Sequence, residues 1–167
     1  PEEARRHFGI EENDVPILLM PGSRREEIER LLPPMLGAAE ILQTRDPARR
    51  FFLPVAGGVD EERIRAHLAA SSVEVMLTHD ARYALMGIAR AAIAASGTVI
   101  MEAAIMGLPA VVLYRMSALS YLVGRLLVDV PRFSLPNILV GETFETELLQ
   151  DAVQPERIAE AMERIIA

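Results

Sequence analysis

No cysteine occurs among the 167 residues, and no lysine. The first absence excludes disulfides and thiolate metal sites and fits a reducing compartment. The second leaves all 17 basic residues as arginine. Arginine and lysine differ only where geometry matters, so genome-wide codon usage accounts for the bias, and arginine content alone is not read as phosphate chemistry. Positive charge is also scarce overall. The formal net charge is -7 and the sequence pI about 5.0, which excludes a nucleic-acid-binding surface and requires any phosphate site to be local. Three histidines are scattered along the chain and no carboxylate cluster has ligand spacing, so no metal site is expected. Neither G-x-G-x-x-G nor G-x-x-x-x-G-K-[ST] is present, which removes the dinucleotide fingerprint and the P-loop, and no cofactor is expected. Pro1 to Asp14 is polar and charged and does not resemble a signal peptide. The most apolar stretch, Ala91 to Met116, is interrupted by Ser96, Gly97, Thr98, Glu102, Gly107 and Pro109; it reads as strand, helix and strand rather than a membrane span.

What is present is a hydrophobic fraction of 51%, enough for a globular core, and a length that fits one domain over 1–167. The chain begins at Pro1 without a methionine and is read as part of something longer.

Pro1 to Gly9 reads as a short helix, with Glu2 and Glu3 in its first turn and Arg5, Arg6 and His7 later, as the helix dipole prefers. Pro16 to Met20 is an uninterrupted apolar run of the kind found in parallel strands buried on both faces. After the turn Pro21-Gly22-Ser23-Arg24-Arg25, a helix from Glu26 carries Ile28, Leu31, Leu32, Met35, Leu36, Ala39 and Leu42 on one stripe. Pro33 and Pro34 predict a kink or a division into two shorter helices. The unit then recurs: strand Arg50 to Val55, helix Asp60 to Ala70, strand Val73 to Leu77, helix Ala81 to Arg90, a strand from Ala91, a helix after Ser96-Gly97-Thr98, and strand Ala110 to Tyr114. Strands alternating with helices imply right-handed crossovers and a parallel, doubly wound Rossmann-like sheet. Ser117 to Val130 reads as a helix with Leu119, Leu122, Val123, Leu126, Leu127 and Val130 on one face, for packing against the sheet or another domain, or for contact with acyl chains. Ser134 to Gly141 reads as a loop or short strand, and Glu145 to Gln150 and Pro155 to Ile166 as closing helices.

In an open parallel sheet the ligand lies beyond the carboxyl ends of the strands. Three loops leave such ends with suitable groups: Gly22-Ser23-Arg24, Thr78-His79-Asp80 and Ser96-Gly97-Thr98. Gly22 allows close backbone approach, Ser23 can bond an oxygen, and Arg24 can hold a phosphate with a bidentate fork. A cation at a helix start opposes the dipole, which favours an anion bound there. Ser96-Gly97-Thr98 offers hydroxyls and the unpaired N–H groups of a helix start, which suit a diphosphate, although Ser and Thr are also ordinary cap residues. Glu102, four residues past Thr98, falls about one turn deeper on the same face, where a carboxylate can accept hydrogen bonds from sugar hydroxyls. His79 is an acid or base by type and a polar loop residue by context; Asp80 receives no role. His7 and His67 sit among charges on helices and read as solvent-facing.

Leu19-Met20-Pro21-Gly22-Ser23-Arg24, Ala95-Ser96-Gly97-Thr98 with Glu102, Val111-Val112-Leu113-Tyr114-Arg115-Met116, Ser134-Leu135-Pro136-Asn137-Ile138-Leu139 and Glu147-Leu148-Leu149-Gln150, in that order, together resemble the C-terminal part of bacterial lipid-A-disaccharide synthases. The family are inverting glycosyltransferases with two Rossmann-like domains, the GT-B arrangement. The resemblance implies a donor-nucleotide domain whose family joins UDP-2,3-diacylglucosamine to 2,3-diacylglucosamine 1-phosphate, releasing UDP and forming the β-1,6 lipid A disaccharide. By that resemblance Gly22, Ser23 and Arg24 meet the diphosphate, Ser96, Gly97 and Thr98 bind it at the helix start, and Glu102 holds the ribose hydroxyls. Asn137 and Gln150 face the cleft, and Arg115 and Met116 are further candidates. Arg24 is the catalytic candidate, stabilising the charge of departing UDP without a metal. The resemblance places the acceptor site and general base in a preceding domain that this chain lacks, so the chain alone is expected to bind donor without turnover. It implies a cytoplasmic location, with peripheral contact at the inner face of the inner membrane through the full-length protein. Other readings are a different UDP-sugar enzyme of the same architecture, either the peptidoglycan N-acetylglucosamine transferase or a UDP-N-acetylglucosamine 2-epimerase, and a non-catalytic docking domain.

Overall fold

Two periodicities build the molecule, a period of two in its strands and a helical stripe on the elements that cover them. The computed structural model describes residues 1–116 and 146–167. The expected readings at Ser117 to Val130 and Ser134 to Gly141, Asn137 included, lie outside the described residues. In chain order the elements are α1 (Glu2–His7), β1 (Val15–Met20), α2 (Arg25–Arg45), β2 (Arg49–Pro54), α3 (Glu61–Ala69), β3 (Val75–Thr78), α4 (Arg82–Met86), β4 (Ala91–Ala95), α5 (Thr98–Ile105), β5 (Ala110–Tyr114), β6 (Thr146–Leu149), a 3-10 turn at Gln150–Ala152, and α6 (Pro155–Ile166). The six strands form one parallel sheet in the order β3-β2-β1-β4-β5-β6, the expected doubly wound arrangement.

Successive strand side chains point to opposite faces, and here both faces are buried. Ile17, Leu19, Phe51, Leu53, Ile93, Val111 and Leu113 meet α2, α3 and α6 on one side. Leu18, Met20, Phe52, Ala92, Ala94, Ala110 and Val112 meet the segment after α1 together with α4 and α5 on the other. This explains why β1 and β4 read as unbroken apolar runs: each is almost wholly buried along its length.

Three expectations are corrected. First, Pro33 and Pro34 do not divide the first long helix, because Arg25–Arg45 is one element. The pair lies away from the buried stripe, with Pro33 exposed and Pro34 half-buried. The carbonyls of Glu29 and Arg30, deprived of their i+4 donors, can therefore turn to water. Second, the helix expected from Ala81 to Arg90 spans only Arg82–Met86. Ala81 starts it from the left-handed region (φ 50°), and the Arg90 N–H already donates to the Pro16 carbonyl at 2.8 Å. The sheet takes over the backbone before the helix can continue. Third, Glu145 to Gln150 is not a helix: Thr146–Leu149 pairs with β5 from Val111↔Thr146 to Tyr114↔Leu149. An unpaired β5 edge outweighs the local preference of Glu and Leu, and Leu148 packs on the core from this position.

The closest helix contact lies between α2 and α6. A Cβ at Gly37 would fall 2.8 Å from Pro155 Cγ and 3.0 Å from Pro155 Cβ, so a hydrogen at position 37 is what lets the start of α6 seat on α2. At the other end of α6, Arg49, whose side chain is 8% exposed, donates from Nη1 and Nη2 to Glu163 Oε1 and Oε2 at 2.7 and 2.8 Å, and from Nη1 to the Leu42 carbonyl at 3.1 Å. The Arg49 guanidinium holds the Glu163 carboxyl below the usual carboxylate range. The Ser71 hydroxyl and the Ser72 N–H do the same for Glu40.

Two outcomes are expected. Gly37→Ala should destabilise the fold by about 1 kcal/mol, overpacking outweighing the gain in helix propensity, and Pro155→Ala should recover part of the loss; denaturant midpoints measure both. Glu163→Gln should cost about 2 kcal/mol by leaving a buried guanidinium with only the longer contact to Asp46, at 3.7 Å, as counter-charge. Because the folded pKa values of Glu163 and Glu40 are depressed, their stabilisation is complete above the unfolded value of about 4.3 and is lost as pH falls through the lower folded values. Thermal melts from neutral to acid pH should show that loss in the parent chain and a shallower one in Glu163→Gln.

Candidate active site

Between β1 and β4 the order of strands reverses direction, and the loops leaving these two neighbours diverge. In doubly wound sheets that divergence opens a crevice at the carboxyl ends of the strands. Here it is a cavity of about 490 Å³, walled by residues that follow β1, β2, β3 and β4, with Tyr114 at the end of β5.

The β1 loop is shaped by Gly22 and Glu27. Gly22 has φ 95°, a backbone conformation that favours glycine, and a Cβ there would crowd the Glu27 carboxylate folded over it. Glu27 Oε2 accepts the Arg24 N–H at 3.2 Å, capping the start of α2. Because Glu27 caps the backbone, the Arg24 side chain is left exposed in the cavity wall, and no carboxylate among the described residues pairs with its guanidinium. Ser23 lies in the same wall.

At the β4 loop, the Ser96 N–H donates to the Leu113 carbonyl at 2.9 Å, extending the β4–β5 ladder by one residue. Gly97 is extended, a Cβ on it would meet nothing within 4 Å, and α5 begins at Thr98. Gly97, at the N-cap of α5, has no side chain to cap the helix, and no acidic residue lies in its first turn. Among the described residues the Ile100 N–H donates to the Gly97 carbonyl at 3.3 Å, while Thr98 and Val99, whose N–H groups precede it, line the cavity at the positive end of the dipole. Arg24 and this helix start are therefore two independent sources of positive potential in an otherwise acidic chain.

The structure brings Gly22, Ser23, Arg24, Ser96, Gly97 and Thr98 into one wall and treats the remaining candidates differently. Glu102 is not in the wall. Its Oε2 lies 2.8 Å from Arg82 Nη2, and Arg82 is in the wall. Arg115 is exposed just beyond β5 and outside the cavity wall. Gln150 turns its carboxamide onto the backbone of Met116: Oε1 accepts the Met116 N–H at 2.7 Å and Nε2 donates to its carbonyl at 3.3 Å. Gln150 thus fixes the chain at the end of β5 against the end of β6. His79 and Asp80 do line the cavity, but they do not act as a pair. His79 Nε2 approaches the half-buried Glu61 on α3 at 3.5 Å, and Asp80 meets His7 of α1 at 3.3 Å, both of these exposed. His67, against expectation, is only 25% exposed and faces Glu29 at 3.3 Å. Among the described residues no group of three or more His, Asp or Glu could hold a metal ion, and no helix is long and apolar enough to cross a membrane.

Arg82 is a wall residue that sequence reasoning missed, whereas Thr78 belongs to a strand-end loop that the sequence singled out. The Thr78 side chain is buried, and its hydroxyl has no hydrogen-bond partner among the described residues; nothing in its spacing signals that. Arg82 was within reach, since it is an arginine at a helix start after a strand end, as Arg24 nearly is.

Comparison with known proteins agrees with this geometry. The family model for lipid-A-disaccharide synthetase matches residues 1–167. The lipid-A-disaccharide synthase of Syntrophus aciditrophicus is 43% identical over 159 residues, covering 95% of this chain and 42% of that protein. The one from Anaeromyxobacter dehalogenans strain 2CP-C is 41% identical over 167 residues, covering 99% and 44%. The chain thus spans less than half the length of the curated relatives it matches. Among solved structures, Escherichia coli ADP-heptose lipopolysaccharide heptosyltransferase II has a TM-score of 0.70 at 16% identity, covering 99% of this chain and 50% of that one. The Methanocaldococcus jannaschii UDP-GlcNAc 2-epimerase, solved in complex with UDP-GlcNAc and UDP, has a TM-score of 0.61 at 17% identity, covering 99% and 42%. These two share the fold. The sequence matches are closer and run through every described element of the sheet, and by them the chain belongs to the lipid-A-disaccharide synthetase family.

Proposed function

We propose that this chain is a UDP-sugar-binding domain, a single unit over 1–167, of a glycosyltransferase that joins UDP-2,3-diacylglucosamine to 2,3-diacylglucosamine 1-phosphate. The reaction is a single displacement with inversion. The acceptor 6-hydroxyl attacks the anomeric carbon, the bond to the diphosphate oxygen breaks, UDP leaves, and the hydroxyl proton passes to a general base. This reading assigns the base and the acceptor site to residues outside this chain, and places the work at the inner face of a bacterial inner membrane.

The observation that carries the reading is the convergence on one cavity of the Arg24 guanidinium, which no carboxylate among the described residues pairs, and the glycine-capped start of α5. Negative charge grows on the diphosphate as it departs, and fixed donors already aimed at that volume stabilise the transition state more than the ground state. In this proposal Ser23, Ser96, Gly97 and Thr98 line the diphosphate path, Gly22 shapes the turn, and Glu102 receives the ribose. Arg115 and Asn137 remain proposed donor contacts, and Gln150 acts through the Met116 backbone.

Calorimetric titration of the chain with UDP tests this. Saturable binding is expected, weakened about tenfold or more in Arg24→Ala by loss of a charge-assisted contact and weakened also in Glu102→Ala. A folded chain that binds UDP equally well with and without Arg24 would contradict the assignment.

A further inference from the structure

Glu102 and the cavity are separated by one side chain. Arg82 Nη2 lies 2.8 Å from Glu102 Oε2 and donates to the Tyr83 hydroxyl at 3.1 Å, while the guanidinium carbon sits 5.0 Å from the centre of the Tyr83 ring. The guanidinium is thus held on one side by a carboxylate and on another by an aromatic face. Glu102 Oε2 is closed to solvent and accepts no hydrogen bond of good geometry among the described residues, yet the side chain as a whole is 31% exposed. The exposed part therefore belongs to Oε1 and the methylene stem. Ala81, just before Arg82, is held in the left-handed region (φ 50°, ψ 31°), where a non-glycine residue costs about 1 kcal/mol. That turn is what sends residue 82 back across the start of α5 instead of onward from β3.

We propose that Arg82 is the positioning residue for Glu102: it engages Oε2, fixes the carboxylate plane, and leaves Oε1 alone to receive a ligand hydroxyl. The proposal rests on the donor-nucleotide reading and deepens it. A free carboxylate would accept from both hydroxyls of a ribose diol, one on each oxygen. With one oxygen taken, Glu102 engages a single hydroxyl, and recognition depends on which one the sugar presents. Arg82 acts through Glu102, and so differs from Arg24, which in the donor reading acts on the diphosphate itself.

The test compares UDP, 2′-deoxy-UDP, 3′-deoxy-UDP and inorganic pyrophosphate by calorimetry on the parent chain, Glu102→Gln, Arg82→Met and the double variant. In the parent chain one deoxy ligand, and not the other, should bind about tenfold more weakly than UDP, the effect of one hydrogen bond to a charged group. Glu102→Gln and Arg82→Met should each remove most of that discrimination. The double variant should lose no more than either single one, the non-additivity of groups acting as a unit. Arg82→Lys, which restores the charge without the planar fork, should recover part of the ratio. Pyrophosphate affinity should change by less than about threefold in Arg82→Met, as for an exposed charge. Thermal melts report folding, and if Arg82→Met does not fold, Arg82→Gln gives the same readout.

If Arg82→Met keeps the parent discrimination while Glu102→Gln loses it, Arg82 does not position the carboxylate, and the donor reading stands. Parallel loss of UDP and pyrophosphate with an unchanged ratio would make Arg82 a general cation and overturn the proposal. Equal discrimination against both deoxy ligands would mean that Glu102 uses both oxygens, and would overturn it too. A parent chain that binds no UDP would remove the donor reading itself.

Discussion

A parallel strand can be followed by another only through a crossover that climbs over one face of the sheet, and this requirement shapes everything else in the chain. Starting from β1, the crossovers through α2 and α3 build β2 and β3 to one side; the crossover through α4 returns past β1, and β4 and β5 extend the other way. Helices consequently cover both faces, every central strand must be apolar in both directions, and the loops after β1 and β4 part company over the junction. The cavity is the space that parting leaves. Its polar groups are those that the turns after β1, β3 and β4 carry, among them Ser23 and Arg24, His79 and Asp80, and Ser96 and Thr98.

Tight seating of α6 on α2 closes one face. Gly37 admits Pro155, and Arg49 clamps Glu163 beneath the far end of the same helix. A bidentate pair with one nearly buried partner gives modest net stabilisation, but it punishes mispositioning, since a displaced α6 would strand the Arg49 charge. The same logic operates at the other face on a smaller scale. There the Arg82–Glu102 pair bridges α4 and α5 at the edge of the cavity, and a five-residue helix that contributes little buried surface gains a defined place.

Electrostatically the chain separates global from local charge. Its net charge of -7 repels polyanions at a distance, whereas one cavity holds both an arginine that no carboxylate among the described residues pairs and the glycine-capped start of α5. A small anion entering the crevice meets these donors at short range, where screening is weak. Under the proposed donor reading, that contrast would favour a compact diphosphate over an extended nucleic acid.

Much of this was already legible in the residues. Buried runs such as Pro16 to Met20 and Ala91 to Ala95 identify parallel strands because no other element keeps both faces apolar, and Gly22, Arg24 and Gly97 mark strand-end turns through their chemistry alone. Partnering was not legible. Thr146 to Leu149 is helical by local preference and a strand because β5 offers an edge. Gln150 resembles a cleft residue in its motif yet spends its carboxamide on the Met116 backbone. Glu102 lies one turn into α5, as its spacing predicts, but outside the cavity wall, with one carboxylate oxygen facing Arg82, twenty positions earlier and just past the left-handed turn at Ala81. Sequence alone determines periodicity, backbone permissiveness and the chemical types at each turn, since these are properties of one residue and its near neighbours. Only the tertiary structure decides which polar groups are already taken, because a hydrogen-bond partner is a fact about two distant residues at once.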